Sequence, residues 1–196
     1  MSPARKALAG LACAIVLIGA GIVGGTSWLH AHAGQTSPRI GGPFTLAGEN
    51  GPVTDKDFRG KWMLVYFGYT HCPDACPTTL NDMATMLDKM PKADRARVVP
   101  IFITVDPDRD TPAIISDYAK AFGPEFVGLS GTQAQITAAE REYRVYAQKH
   151  PLKGQDYAMD HSSVIYIMKP DGDFSSVITD AASPADMAQR LLSLGV

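Results

Sequence analysis

The chain has 196 residues, a length that suits one globular domain with an appendage better than two domains. Hydrophobic residues make up 45% of the chain and charged residues 19%, so a core of ordinary size can form. The net charge is −2, and no basic tract extends beyond Arg5 and Lys6. We therefore expect no nucleic-acid partner, because nucleic-acid binding normally leaves a basic stripe in the sequence.

The N-terminal segment 7–29 is uncharged and consists mostly of Ala, Leu, Ile, Val and Gly. At about 1.5 Å per residue it would span roughly 35 Å as a helix, enough to cross a hydrocarbon core of about 30 Å. Its basic flank is expected to stay in the cytoplasm and send the rest outward. A cleaved signal peptide, with Ala31-His32-Ala33 as the cleavage site, is the alternative. The apolar run is longer than a usual signal-peptide core and favours a retained, single transmembrane helix.

This reading divides the chain into three parts. They are a cytoplasmic tip with a membrane anchor at residues 1–30, a linker at 31–42 and a soluble domain at 43–196. Cys13 falls inside the anchor, so the soluble domain contains only Cys72 and Cys76. Two cysteines this close enclose too small a loop to stabilise a domain by constraining its unfolded chain. They are better suited to chemistry.

The hydrophobic pattern of the domain predicts alternating strands and helices. We predict strands at residues 62–67, 98–105, 143–148, 163–168 and 174–179. We predict helices that open at Pro77, at Thr111-Pro112, at Thr132 and at Ser183-Pro184, each from capping or proline signals. The order contains βαβ units followed by a terminal hairpin and helix. This order predicts an α/β fold of thioredoxin-like type, with a central sheet flanked by helices.

The two cysteines lie between the first predicted strand and its helix. A thiolate at a helix N-terminus is stabilised there and can act as a nucleophile or as a soft metal ligand. The spacing Cys72-x-x-x-Cys76 has one residue more than the C-x-x-C of thioredoxin-type reductants. Side chains at i and i+4 are about 5–6 Å apart at Cβ, wider than the roughly 3.5–4.5 Å of a disulfide. The spacing favours two sulfurs on one metal, and a disulfide formed by a tighter loop is the alternative.

Two thiolates select soft ions, Cu(I) first and Zn(II) second, and one imidazole would complete a three-ligand site. The histidines are His30 and His32 in the linker, His71 beside Cys72, His150 in a predicted polar loop, and His161 at a predicted strand start. By position alone His161 favours a structural histidine over a ligand, because a lone histidine at a strand start is more often structural.

Three motifs together resemble the Sco/SenC family, whose members are assembly factors of cytochrome c oxidase. They are GYTHCPDACP at residues 68–77, VDPDRDTP at 105–112 and DHSS at 160–163. The resemblance extends from about Phe44 to the last helix. It implies a thioredoxin-like fold and one copper ion, Cu(I) or Cu(II), bound by Cys72, Cys76 and His161.

The resemblance also implies a function and partners. A metallochaperone would deliver copper to the CuA site of oxidase subunit II, without turnover. A thiol–disulfide oxidoreductase that keeps the subunit II cysteines reduced is the alternative, and only the need for His161 separates the two. The implied partners are subunit II, a copper donor chaperone and a thioredoxin-like reductant. The implied location is the inner membrane, with the domain facing the periplasm or the equivalent mitochondrial intermembrane space.

Other polar features have ordinary explanations. Asp106, Asp108 and Asp110 imitate the start of a calcium loop, but Thr111 stands where such a loop needs glycine. We expect a solvated loop with carboxylates near a helix N-terminus.

Methionines and one further carboxylate give weaker hypotheses. Met83, Met86 and Met90 recur at helical spacing and are expected in the core. Met159 is a candidate accessory ligand, and Asp160 a candidate hydrogen-bond partner for the ring nitrogen of His161 that faces away from the metal.

Overall fold

The computed structural model describes residues 39–152, 154 and 156–196. The predicted membrane anchor at 7–29, the signal-peptide cleavage site at 31–33 and most of the predicted linker lie outside the described residues. Within the described part of the chain, no helix has both the length and the apolar character that crossing a bilayer requires.

The domain contains nine strands and five α-helices among the described residues. The strands are β1 Thr45–Gly48, β2 Gly51–Thr54, β3 Trp62–Gly68, β4 Val98–Thr104, β5 Val127–Leu129, β6 Ala147–Pro151, β7 Tyr157–His161, β8 Val164–Met168 and β9 Phe174–Thr179. The helices are α1 Ala75–Lys89, α2 Lys92–Arg95, α3 Pro112–Lys120, α4 Gln133–Tyr143 and α5 Pro184–Ser193. A short 3-10 helix spans Asp55–Phe58.

Five strands form the central sheet, in the order β5-β4-β3-β8-β9. All seven residues of β3 are buried, as its unbroken apolar sequence predicts for a strand covered on both faces. β3 runs parallel to β4 and antiparallel to β8, so the sheet is mixed. With its flanking helices this is the predicted thioredoxin-like α/β arrangement.

Strand direction brings three loops to one edge of this sheet. Because β3 and β4 are parallel, the segments that follow Gly68 and Thr104 both start at this edge. Because β8 is antiparallel to β3, the segment that enters Val164 reaches the same edge. In sheets of this kind ligands bind outside the carboxyl ends of the parallel strands. The three sequence motifs therefore lie together at a location suited to a binding site.

The predicted helix starts are confirmed at three places. The side chain of Thr111 accepts a hydrogen bond from the backbone N–H of Ile114, with proline at the next position. Thr132 and Gln135 form a capping box, and Ser183 caps α5 in the same way as Thr111 caps α3. The remaining helix, α1, begins at Ala75 and not at Pro77, which places Cys76 inside its first turn.

The strand predicted at 143–148 is wrong in position. Tyr143 ends α4 and is buried against Phe67 and Tyr166, and Arg144 then takes a left-handed conformation with φ of 57°. The strand starts later, as β6, and it pairs with β7 inside the segment that was predicted to be a polar loop. These two strands form a separate two-stranded sheet with many exposed side chains, so they lack the apolar alternation that a sequence reading detects. The strands β1, β2 and β5 were not predicted, because three or four residues are too few to show a hydrophobic pattern.

Gly128 gives a test of the packing of β5 on α3. A Cβ atom at this position would lie 2.1 Å from the carbonyl oxygen of Ile115 and 2.8 Å from the backbone nitrogen of Ser116. Because backbone cannot move aside as a side chain can, we expect Gly128→Ala to lower the free energy of unfolding by about 1–3 kcal/mol. Urea denaturation followed by circular dichroism measures the change.

Gly131→Ala is the matched control, because its added Cβ would meet only the flexible side chain of Gln135 within 3.3 Å. We expect it to change stability by far less. Equal losses in the two variants would show that the close approach of β5 to α3 is not what requires glycine at 128.

Candidate metal centre

Three potential metal-ligand atoms converge at the edge of the sheet. The sulfurs of Cys72 and Cys76 and a ring nitrogen of His161 all lie within 4.8 Å of one another. The sulfur of Cys76 is 3.5 Å from Nε2 of His161, although these residues are 85 positions apart in the sequence. Only the folded chain can bring these atoms together.

The end of β3 and the start of α1 position the two cysteines. The backbone N–H of Cys72 donates to the carbonyl of Tyr69, and the N–H of Cys76 donates to the sulfur of Cys72 at 3.4 Å. Gly68 makes room for them, since a Cβ on this residue would lie 2.7 Å from the Cys76 sulfur. The i, i+4 comparison assumed that both cysteines lie on one helix. In the structure Cys72 lies in the loop before α1, and only Cys76 lies on the helix.

The two thiols differ in protonation and in exposure. Both are free, with Cys72 half-buried and Cys76 fully buried. A hydrogen bond from the Cys76 thiol, aided by the backbone N–H groups of Cys76 and Asp74, lowers the pKa of Cys72 to about 5. The same hydrogen bond, together with burial, raises the pKa of Cys76 above its ordinary value. At neutral pH the pair therefore holds one thiolate, on Cys72, and one proton, on Cys76.

His161 presents Nε2 to the cysteines because its other ring nitrogen is engaged. Nδ1 lies 3.1 Å from the carbonyl oxygen of Ser162, and a carbonyl can only accept, so Nδ1 carries the proton. Nε2 then keeps a free lone pair that faces the Cys76 sulfur, the form in which histidine binds a metal. The hypothesis that Asp160 orients His161 is wrong, because this exposed carboxylate lies 2.7 Å from Nε2 of His150 instead.

Two tyrosines flank the imidazole of His161. The rings of Tyr66 and Tyr69 meet the imidazole nearly edge-on, with ring centroids 6.1 Å and 6.0 Å away. Both tyrosines are buried. Their contacts restrict the rotation of the His161 ring.

The loop after β4 is not the solvated loop that the sequence predicted. Asp110 is completely buried, and its carboxylate accepts hydrogen bonds from the backbone N–H and hydroxyl of Thr70 and from the hydroxyl of Thr104, at 3.0, 2.5 and 2.6 Å. A buried carboxylate needs such partners, because its desolvation would otherwise be costly. Asp110 thus anchors the residue two positions before Cys72. Of the three acidic residues, only Asp108 is exposed.

The same loop reaches the strand that carries His161. The buried carboxylate of Asp106 accepts hydrogen bonds from the hydroxyl of Tyr157 at 2.8 Å and from Nε of Arg109 at 2.5 Å. Nη1 of Arg109 donates to the backbone carbonyl of Tyr157 at 3.1 Å, and its guanidinium carbon lies 3.8 Å from the centroid of the Tyr157 ring. Asp106 and Arg109 belong to the motif at residues 105–112, for which the sequence alone indicated no structural role.

The separation of the Cys76 sulfur and the His161 nitrogen fits two ligands of one metal ion. With bond lengths of about 2.3 Å to sulfur and about 2.0 Å to nitrogen, as for zinc, a trigonal centre separates its sulfur and nitrogen ligands by about 3.7 Å. The observed separation between the Cys76 sulfur and the His161 nitrogen is 3.5 Å. Two sulfurs and one imidazole are the donor set of soft or borderline ions such as copper.

Other residues considered as ligands have different surroundings. Met83, Met86 and Met90 are buried in the core, as predicted. Met159 is half-buried and packs against the core, and its role as an accessory ligand stays a prediction. His71 is exposed and lies 3.9 Å from the carboxylate of Asp110.

Comparison with known proteins identifies the family of this chain. A family model described as SCO1/SenC matches residues 32–194. The mitochondrial SCO1 homolog of Mus musculus is 41% identical over 80% of this chain and 56% of its own length. The chain spans about half the length of the curated relatives it matches.

Two solved structures extend the comparison. The structure of Bradyrhizobium japonicum ScoI with copper bound is 48% identical, with a TM-score of 0.72, over 79% of this chain and 98% of that one. BsSco, described as having a disulfide switch and as a member of the Sco family of cytochrome c oxidase assembly proteins, is 25% identical with a TM-score of 0.61, over 81% of this chain and 95% of that one. Because the family match covers nearly the whole domain, the chain belongs to the SCO1/SenC family.

Proposed function

We propose that this protein is a copper metallochaperone that holds one copper ion with the sulfurs of Cys72 and Cys76 and with Nε2 of His161. The observation that carries the proposal is the convergence of these three ligand atoms within 4.8 Å, from segments far apart in the sequence. The copper-bound structure of the relative from Bradyrhizobium japonicum supports it.

The donor set favours copper over zinc. Structural zinc sites are nearly always closed by four ligands, whereas three suitable ligand atoms meet here among the described residues. Two thiolates prefer Cu(I), and the imidazole adds affinity for the harder Cu(II). Cys76 is fully buried and Cys72 is half-buried, so an incoming ligand from an acceptor would reach the metal on the side of Cys72. This asymmetry suits a protein that binds its cargo firmly and then transfers it.

The acceptor in this proposal is the CuA site of cytochrome c oxidase subunit II. The name of BsSco as a member of a family of oxidase assembly proteins supports this choice. A copper donor chaperone would load the site, and a thioredoxin-like reductant would keep Cys72 and Cys76 reduced between cycles.

We also propose the location and domain plan predicted from the sequence. Residues 7–29 would anchor the chain in the inner membrane, residues 31–42 would link the anchor to the domain, and residues 43–196 would face the periplasm or the mitochondrial intermembrane space. The mitochondrial names of several relatives support an oxidase-bearing membrane. Detection of the uncleaved N-terminus in membrane fractions by mass spectrometry tests the anchor.

A thiol–disulfide oxidoreductase acting on subunit II is the second candidate. The sulfurs of Cys72 and Cys76 are neighbours, and the half-buried Cys72 sulfur accepts a hydrogen bond from the N–H of Cys76 at the start of α1. In this arrangement the more accessible thiolate, Cys72, could attack a disulfide and the buried thiol, Cys76, could resolve the mixed disulfide. Oxidation of the two thiols would supply the two electrons and two protons that reduce a substrate disulfide. His161 has no part in that exchange, so its removal distinguishes the two functions.

Stabilisation of the fold by copper tests the role of His161. A ligand that binds only the native state stabilises it by RT ln(1 + [L]/Kd), about 4 kcal/mol at a thousandfold excess over Kd. We expect Cu(II) to raise the melting temperature of the parent by several degrees, and to raise that of His161→Ala much less. Cu(I) should separate the two proteins less clearly, because two thiolates alone can hold it. Calorimetry with each copper ion measures the shifts.

His150→Ala is the matched control, because it removes an imidazole from the hairpin that carries His161 and leaves the three ligand atoms in place. It should respond to Cu(II) as the parent does. Equal Cu(II) shifts in the parent and in His161→Ala would make His161 a structural histidine and would contradict the proposed site.

The low pKa of Cys72 predicts a pH dependence in the metal-free, reduced protein. The pKa of Cys72 is lowered to about 5, so this thiol is ionised above that pH and protonated below it. We expect the rate of alkylation of Cys72 by iodoacetamide to rise with pH to half its plateau near pH 5, whereas Cys76 stays unreactive through neutral pH. Peptide mass spectrometry assigns each alkylated residue.

In Cys72→Ser the fast reaction should disappear and Cys76 should remain protected by burial. Copper should suppress alkylation of Cys72 in the parent. A half-plateau near pH 8.5, the ordinary value for a free cysteine, would contradict the hydrogen-bonded thiolate described above.

A further inference from the structure

The hairpin that carries His161 has little sheet structure to hold it. β6 and β7 pair only with each other, and they form a sheet separate from the central one. A two-stranded hairpin by itself is marginally stable in water, so contacts from elsewhere must fix its place. At the His161 end the hairpin is held by the chain continuing into β8 and by the hydrogen bonds between Tyr146 and Ser162.

At its other end the hairpin is held through Tyr157, the first residue of β7. The side chain of Tyr157 donates to the buried carboxylate of Asp106, its ring stacks under the guanidinium of Arg109, and its carbonyl accepts from Nη1 of Arg109. The ring of Tyr157 also lies 4.0 Å from Nζ of Lys149 on β6. Tyr157 therefore receives contacts from two side chains of the loop after β4, those of Asp106 and Arg109.

These contacts have the character of a positioning device. Arg109 is mostly buried, and its guanidinium also lies 5.7 Å from the centroid of the Tyr69 ring, which flanks His161. Hydrogen bonds to charged groups are stronger than those between neutral groups, and a partly desolvated cation–π contact adds further stabilisation. Loss of such contacts can lower the fraction of molecules in which this marginally stable hairpin places His161 beside the cysteines.

We propose that Asp106 and Arg109 form a latch on Tyr157 that positions His161 over the two cysteines. With the latch closed, Nε2 of His161 lies at the cysteines and the site offers three ligands. With the latch open, the hairpin moves and the site keeps only its two thiolates. The latch thereby sets the affinity for Cu(II) relative to Cu(I). This proposal rests on the copper function proposed above, and neither Arg109 nor Tyr157 is among the three candidate ligand residues.

The size of the effect follows from the population of the closed state. The apparent dissociation constant equals the intrinsic one divided by the competent fraction. If removal of the latch leaves about one molecule in ten closed, Cu(II) binding weakens about tenfold. Cu(I) binding should change much less, because two thiolates can hold this ion without the imidazole.

A graded series of variants tests the latch. Arg109→Leu removes the hydrogen bonds of the guanidinium to Asp106 and to the Tyr157 carbonyl, together with the stacking on the Tyr157 ring. Tyr157→Leu removes the hydrogen bond from the hydroxyl to Asp106 and the same stacking. We expect each variant to bind Cu(II) about tenfold or more weakly than the parent. Tyr157→Phe keeps the ring under the guanidinium and loses only the hydrogen bond to Asp106, so we expect a smaller loss of about threefold. Titration of the sulfur-to-Cu(II) charge-transfer absorption measures Cu(II), and competition with a Cu(I) chelator measures Cu(I).

Arg95→Leu is the matched control. Arg95 also pairs with two carboxylates, those of Asp88 and Glu125. Asp88 lies at the end of α1 opposite to Cys76, and Glu125 lies just before β5, so neither carboxylate is next to a ligand residue. Arg95→Leu should leave both copper affinities within twofold of the parent. The melting temperature of each metal-free variant identifies any that fails to fold, and Tyr157→Phe is the mildest of the series.

Hydrogen exchange on the metal-free protein provides a readout that does not need copper. We expect the amides of residues 157–161 to exchange faster in Arg109→Leu and Tyr157→Leu than in the parent, while Arg95→Leu leaves them unchanged. Unchanged exchange, or parental Cu(II) affinity in Arg109→Leu, would overturn the latch even if the parent binds copper as proposed. A parent that binds no copper would overturn the proposed function, and the exchange result would still decide whether the latch holds the hairpin.

Discussion

Two buried carboxylates on the loop after β4 hold together the chain segments on which the candidate site depends. Asp110 fixes the segment before Cys72 through Thr70, and Asp106 fixes the segment before His161 through Tyr157. A buried carboxylate left without partners costs more than the roughly 1–3 kcal/mol of a neutral group, so each must find its donors when the chain folds. The hydrogen bonds that these two carboxylates require thereby help to bring the cysteines and the histidine close together.

The direction of the strands explains why these segments can meet. β3 and β4 run parallel and β8 runs against them, so the cysteine loop, the acidic loop and the histidine strand all reach one edge of the sheet. Each ligand-bearing segment is attached to the rigid sheet at one end only. This arrangement would suit the metal transfer that we propose, because a ligand segment attached at one end could release the ion.

The sequence predicted the regular parts of the fold well. In the central sheet β3 and β8 are unbroken apolar runs. The helices that start at Thr111, Thr132 and Ser183 carry capping residues that act within four positions. It failed for the β6–β7 hairpin, whose polar residues have no apolar alternation, and for the acidic loop, which it treated as solvated. The burial of Asp106 and Asp110 could not be read locally, because the donors to their side chains include residues as far as 51 and 40 positions away.

By itself the sequence determined the residue types: two cysteines beside a helix start, an acidic motif and a histidine before an apolar strand. Through their resemblance to a known family, these motifs also indicated which residues bind copper, and that assignment stays a prediction. Tertiary structure alone decided that Nε2 of His161 faces Cys76, that Ser162 and not Asp160 engages the other ring nitrogen, and that Gly68 leaves space for a sulfur. The physical reason is distance along the chain. Caps and strand patterns are local, whereas a site made by residues 85 positions apart exists only after desolvation and strand pairing have fixed the chain in space.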